Sequence, residues 1–401
     1  MVPCLDTGAT GDTSDLLYPD LDGDGYGDEL QGASGSAAAD DWIAVGGDCD
    51  DNNAFVYPGA DELCDGMAND CDTSESWSST AELGLISHFH ADVWENLDWD
   101  GAVDFTGEGD IWLCQAADEA GSLTLSVNLT LDSTGTLILA TRNSTARAAP
   151  GAPPTPMILE SAADGLPVIT VNSGVVELSG LLITGASNAG DGGGVLLNDG
   201  TLTIAGSQVR ENTAGRGGGV FATGSGALYI DSTWIEQNNA GDGGALYVDG
   251  LSTPVDGEEP VQIRSSLINQ NIAEAGGAAY FVSSLVTASD TRVTDNEAAT
   301  VAGGLFITSG SDVRFSQAIL DGMSSFCAFR GNRLAGDLLA AADIESGTFS
   351  SGADDAAGCY WEQTVTTLNG GEYDPSDPFV FTCDKNGCCL LYTSPSPRDR
   401  Y

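Results

Sequence analysis

The sequence predicts an all-β chain in which a long solenoid of short stacked strands follows a small acidic, disulfide-containing module. Three observations predict it. A degenerate repeat of about 26 residues runs between positions 176 and 320, the repeat shows no helical periodicity, and the cysteines cluster towards the two ends.

The 401 residues include 60 acidic and 12 basic side chains, for a formal net charge of −48. The first basic residue is Arg142 and the one lysine is Lys385. Such a field repels phosphate backbones and anionic headgroups, which argues against nucleic acid and membrane surfaces as partners, and it attracts divalent cations. High charge can also mean disorder, but 41% of residues are hydrophobic and β-branched residues alternate over long stretches, so the chain is expected to fold. No stretch is apolar for 18 residues, so no membrane span is expected in this chain.

Cys4, Cys49, Cys64, Cys71 and Cys114 lie early, and Cys327, Cys359, Cys383, Cys388 and Cys389 lie late, with 212 residues between the groups. Zinc-finger spacing is absent. Disulfides in an oxidising compartment fit better, with the connectivity left open. Met1-Val-Pro-Cys4 lacks the basic and apolar regions of a secretion signal, so the chain is expected to be a piece of a longer secreted precursor.

The first element is the acidic module, residues 18–73, after a linker or truncated tail at 1–17. Asp20, Asp22 and Asp24 stand at positions 1, 3 and 5 of a loop, Gly25 at the sharp turn, the carbonyl of Tyr26 at position 7 and Asp28 at position 9. Alternating oxygen donors around a glycine turn make a cage for a hard cation. Position 12 is Gln31, where a helix-loop-helix calcium site has a bidentate glutamate, and Gly32-Ala-Ser-Gly-Ser-Ala reads as a linker. The loop therefore resembles thrombospondin type 3-like calcium repeats more than a helical hand. The missing ligand must come from elsewhere.

Residues 47–72 offer it, with Asp48, Asp50, Asp51, Asp65, Asn69, Asp70 and Asp72 as further oxygen donors around Cys49, Cys64 and Cys71. Together the two segments resemble the metal-binding motif of bacterial surface proteins, with its pattern DxDGDGYGD, GDCDD and PGAxExCDGxDNDCDG. About 55 residues match. Ala68 stands where the family has Asp, and Thr73 where it has Gly. The resemblance implies a bound metal and an extracellular or bacterial cell-surface location. Copper is the metal sometimes attached to the family, but the donors here are carboxylates and carbonyls, with no histidine and Met67 the one thioether, so Ca²⁺ is expected. The plain alternative is a solvated acidic loop held by disulfides.

A connector, residues 74–109, reads as irregular and acidic. Within it His88 and His90 stand at i and i+2, so on a strand they share one face and could grip a transition metal, although no third ligand is evident.

The solenoid is expected over 110–325. Val176, Leu202, Leu228, Val261, Val286 and Val313 open successive repeats, spaced 26, 26, 33, 25 and 27 residues apart. Two positions on stand Leu178, Ile204, Ile230, Ile263, Ala288 and Phe315, and seven positions on Ile183, Val209, Ile235, Ile268, Val293 and Leu320. Asn212, Asn238, Asn271 and Asn296 follow at position ten, then glycine pairs at 217–218, 243–244, 276–277 and 303–304. Three short strands per repeat, none able to fold alone, would stack like residues over like into one core. The asparagines are expected to adopt left-handed backbone and bond their copies, and the glycine pairs to supply positive φ. Asp110–Cys114, Leu123–Leu131 and Leu137–Leu139 read as earlier, less regular turns of the same kind.

The units Val209-Arg-Glu-Asn212 to Gly217-Gly-Gly-Val220 and Ile235-Glu-Gln-Asn238 to Gly243-Gly-Ala-Leu246 resemble pectate-lyase-like proteins and the polymorphic outer-membrane protein repeat. That resemblance implies a right-handed parallel β-helix. The fold hosts polysaccharide lyases and glycoside hydrolases as well as non-catalytic surface proteins. No histidine follows His90, Arg210, Arg264, Arg292 and Arg314 fall in different columns, and Asp231, Asp290 and Asp295 are scattered. An adhesive, binding or structural role, with glycans or surface proteins as partners, is therefore expected over catalysis.

The longest repeat carries its excess in 249–260, an acidic Pro- and Gly-containing insertion that is either a projecting partner-binding finger or a tolerated loop. A cysteine-containing cap is expected at 326–388. Residues 389–401 differ in character from the rest and are set apart as a non-native tail.

Overall fold

The computed structural model describes residues 16–28, 33–34, 42–60, 69–71, 86–90, 93–115, 124–143, 156–251 and 259–316, with shorter strand segments from 319 to 393. Among these residues the chain is all-β, and its sheets are built largely from parallel strands.

In the repeat region each strand pairs with its equivalent one repeat later. Val176 pairs with Leu202, Leu202 with Leu228, Leu228 with Val261, Val261 with Val286, and Val286 with Val313. The spacing read from the sequence is thus the pairing register. These residues and the column two positions on are at most 2% exposed, in one apolar core that runs through the stack. A one-residue slip would turn each of these side chains outward, so burial at roughly 1.5–3 kcal/mol per large aliphatic residue fixes the register.

The structure has four strands in each of the second to fifth repeats, where three were expected. Gly200–Ala205, Gln208–Arg210, Thr213–Arg216 and Val220–Thr223 make up one such repeat. The unforeseen strand stacks on Asn239–Asp242, Ile272–Ala275 and Glu297–Val301. Its inward residues are the alanines Ala214, Ala240, Ala273 and Ala298, and so small an apolar signal does not register as a strand.

The asparagines form a buried ladder. Asn212 Nδ2 donates to Asn238 Oδ1 at 3.2 Å, Asn238 to Asn271 at 3.0 Å, Asn271 to Asn296 at 2.9 Å and Asn296 to Asn332 at 2.9 Å. The left-handed residue is the one before each asparagine, not the asparagine itself: Glu211, Gln237, Gln270 and Asp295 have φ near +55°. That geometry turns the chain and aims the next backbone amide at the neighbouring Oδ1, as in Asn238 N to Asn271 Oδ1 at 3.0 Å. A second corner repeats the device with hydroxyls. Thr233 N donates to Ser266 Oγ at 3.1 Å after the left-handed Ser232.

The glycine pairs divide their labour. Gly217, Gly243 and Gly276 have positive φ, whereas a Cβ at Gly218 would lie 2.6 Å from the Gly244 carbonyl oxygen. Gly303 belongs to this second, close-approach column. Ala302 takes the positive φ, so the pair 303–304 sits one position later than the others.

Other expectations change at the ends. Leu320 does not continue the column of Val293, because Val293 pairs with Phe329 and Ile319–Leu320 pairs antiparallel with Met323–Ser324. Stacking continues past residue 325, as Phe315 and Ser311 of the last full repeat pair with Ser351 and Gly347. The segment read as an irregular connector contains strands. Ile86–His90 pairs antiparallel with Val93–Leu97 and with Gly101–Gln115, and the last runs parallel to Thr124–Asn143. Its apolar residues Leu97, Val103 and Phe105 pack on the core, but alternating acidic neighbours such as Asp104 and Glu108 mask them in the sequence. Gly387–Thr393, overlapping the tail set apart, pairs antiparallel with Phe379–Asp384. Residues 252–258 of the insertion lie outside the described residues.

Candidate metal centre

The acidic module is a small strand scaffold that brings two distant segments together. Leu16–Pro19 pairs antiparallel with Trp42–Ile43, and Gly27–Asp28 lies parallel to Gly46–Asp48. The loop 20–26 therefore hangs beside residues 48–51. Gly27 is needed for this approach, since a Cβ there would lie 2.6 Å from the Pro19 carbonyl oxygen. Gly23 and Gly25 take positive φ and let the loop curl around its own carboxylates. Asp20 Oδ1 accepts from Gly23 N at 2.7 Å, and Asp24 Oδ1 from Tyr26 N at 2.8 Å.

The second segment is pinned by a disulfide between Cys49 and Cys71, a pairing the sequence left open. Tyr26 stacks on Tyr57 with ring centroids 5.3 Å apart, and Tyr57 N donates to Asn69 O at 3.0 Å. Across the two segments Leu21 N donates to Asp51 Oδ1 at 3.0 Å.

Five of the carboxylates singled out in the sequence converge. Asp20, Asp22 and Asp51 form one group and Asp22, Asp24 and Asp48 another, each with its ligating oxygens within 4.8 Å of one another. Two oxygens on one calcium ion lie at most about 5 Å apart, from Ca–O distances of roughly 2.3–2.6 Å. Asp48 and Asp51 are each only 6% exposed. The Oδ2 atoms of Asp22, Asp24, Asp48 and Asp51 are buried and accept no hydrogen bond. An unpaired buried anion is costly, so these orphaned oxygens fit a bound cation. Burial, with the neighbouring carboxylates adding to it, pushes Asp22 and Asp24 above the ordinary aspartate range and Asp48 up to about 6.

The other sequence candidates are placed differently. Asp28 and Asp50 lie outside both groups. Asp70 Oδ1 accepts from Gly59 N at 2.7 Å, and the fully buried Asn69 donates through Nδ2 to Phe55 O at 3.1 Å, so both brace the scaffold. Tyr26, named for its carbonyl, lies in the same loop with its ring stacked on Tyr57, and Asp65 and Asp72 lie outside the described residues.

His88 is not arranged as half of a metal grip. It is buried, with Nδ1 2.8 Å from Glu95 Oε1 and Nε2 2.9 Å from Glu108 O, so both ring nitrogens are already engaged. His90 lies on the same strand, Ile86–His90.

On the repeat region a cleft of about 210 Å³ is lined by Thr203, Tyr229, Ile230, Asp231, Gln262 and Arg264. Asp231 is the one carboxylate in this lining, where a hydrolytic pair needs two. Arg314 is paired with Glu259 and Asp312 instead.

Residues 48–74 match the family model described as "Putative metal-binding motif" (Cu-binding MopE). No curated protein and no solved structure matches the chain significantly. The matched segment contains Asp48, Asp51 and the disulfide. The loop Asp20–Asp24 that completes the carboxylate groups lies upstream of the match.

Proposed function

We propose that this chain is a secreted or cell-surface calcium-binding protein whose acidic module is rigidified by Ca²⁺ and whose repeat region is a right-handed parallel β-helix presenting an elongated binding or structural surface. The observation that carries the calcium reading is that Asp22, Asp24, Asp48 and Asp51, all members of the two carboxylate groups, each hold a buried Oδ2 with no hydrogen-bond donor. All the donors in the two groups are hard oxygens, and carboxylate cages favour Ca²⁺ over copper, which prefers imidazole and sulfur.

The in-register parallel stacks and the asparagine ladder support the β-helix reading. The disulfide supports an oxidising compartment. The role proposed for the repeat region is binding or structural, with glycans or surface proteins as the partner class.

The reading is tested by dialysing the oxidised chain against Ca²⁺ and Cu²⁺ together and measuring retained metal. Calcium should be retained in preference. Stoichiometric copper that calcium does not displace would contradict the calcium assignment.

A further inference from the structure

We infer that the acidic module holds two divalent cations side by side, bridged by Asp22. The inference rests on the calcium reading above and concerns its number and linkage. Asp22 is the one residue common to both carboxylate groups. Asp48 and Asp51 fall in different groups, so the two segments do not converge on one point between them. Each contributes a buried Oδ2 without a donor, so each group holds a buried oxygen that a cation in that group would satisfy.

Charge leads to the same number. Five carboxylates converge here, Asp20, Asp22, Asp24, Asp48 and Asp51. One divalent ion would leave most of that negative charge uncompensated, with Asp48 and Asp51 buried among it, whereas two nearly neutralise it. Asp22 has two oxygens, one for each ion. Asp20 and Asp51 complete the first site and Asp24 and Asp48 the second, with carbonyls and water available for the remaining positions. Each ion then fastens the loop to the segment around Cys49 at a different point. Two points of attachment fix orientation as well as distance, so the filling of one site orders Asp22 for the other. Binding is therefore cooperative.

The test is calcium stoichiometry on the full oxidised chain, read by native mass spectrometry and by a calcium titration. Asp48→Asn and Asp51→Asn should each remove one tightly held ion, and together two. Asp22→Ala should remove both. Asp50→Asn, outside the groups, should remove none, and circular dichroism should show each variant folded. Unchanged stoichiometry relative to the single variants in the Asp48→Asn/Asp51→Asn double variant would overturn the two-ion arrangement while leaving calcium binding intact. A wild-type chain that binds no calcium would overturn the calcium reading itself, and the pairing with it.

Discussion

The backbone amide of Leu21 donates to Oδ1 of Asp51 at 3.0 Å, which ties the acidic loop to a segment thirty residues on. The other oxygen of the same carboxylate is buried with no donor. One oxygen is thus spent on holding the module together, in a side chain that also belongs to a group with the loop residues Asp20 and Asp22. Stability and metal binding are joined in that side chain, so each should be readable through the other.

The pH dependence has a definite sign. Burial pushes the Asp48 carboxyl up from the ordinary 3.8 to about 6. The folded state therefore holds this proton more tightly than the unfolded one. Its stabilising contribution is complete below about pH 4 and is lost as pH rises through about 6. Without divalent ions, thermal melts should show wild type losing stability over that window relative to Asp48→Asn, which cannot titrate. Saturating calcium should reverse the trend, because protons then compete with the ion. Parallel pH profiles for the two chains would contradict the placement of Asp48.

Cys49→Ser should weaken calcium binding as well as stability. The disulfide closes a loop of 22 residues, for which chain entropy gives about 3 kcal/mol. It also positions Asp48 and Asp51, its near neighbours. Calcium affinity of the variant should fall at least tenfold, measured by titration, with the repeat region still folded by circular dichroism. Unchanged affinity would mean that the segment holds its shape without the bond.

In the repeat region the sensitive position is Asn238. Its Nδ2 donates to Asn271 Oδ1 and to Val209 O, and its Oδ1 accepts from Asn212. Asn238→Leu should cost about 1–3 kcal/mol by denaturant unfolding, from the buried donors and acceptors it strands. Glu236→Gln, partly exposed two residues away, should be nearly silent. Equal effects would mean the ladder carries no weight.

Gly218→Ala tests the close-approach column. The new methyl would meet the carbonyl oxygens of Gly244 and Asn239, both 2.6 Å from the ideal Cβ. Two backbone atoms cannot yield as a side chain can, so a loss of roughly 1–3 kcal/mol or more is expected. A silent substitution would show the stack to be looser than its spacing implies.

Much of this arrangement is legible in the residues. The columns Leu202, Leu228 and Val261 and the asparagines at position ten are large or chemically distinctive, and they recur at the pairing distance. The fourth strand is hidden because Ala214 and Ala240 bury too little to mark a period. The strand segments at 86–109 are hidden because acidic residues on the outer face interrupt the apolar pattern around Val103 and Phe105. At the metal centre the loop spacing identifies Asp20, Asp22 and Asp24. Which downstream carboxylates join them depends on the strand pairing of Gly27–Asp28 with Gly46–Asp48, and two-residue strands leave no periodic trace. The same limit applies to Asp50, which is adjacent in sequence to Asp51 and exposed where Asp51 is buried.

The most direct test of the calcium centre is a calorimetric titration of Ca²⁺ into the oxidised, chelator-stripped chain, beside the Asp22→Ala/Asp24→Ala variant. Wild type should bind tightly at the acidic module, and the variant should lose that tight phase while its repeat region stays folded. No heat of binding in wild type, or an identical titration for the variant, would contradict the assignment of Asp22 and Asp24 to a calcium centre.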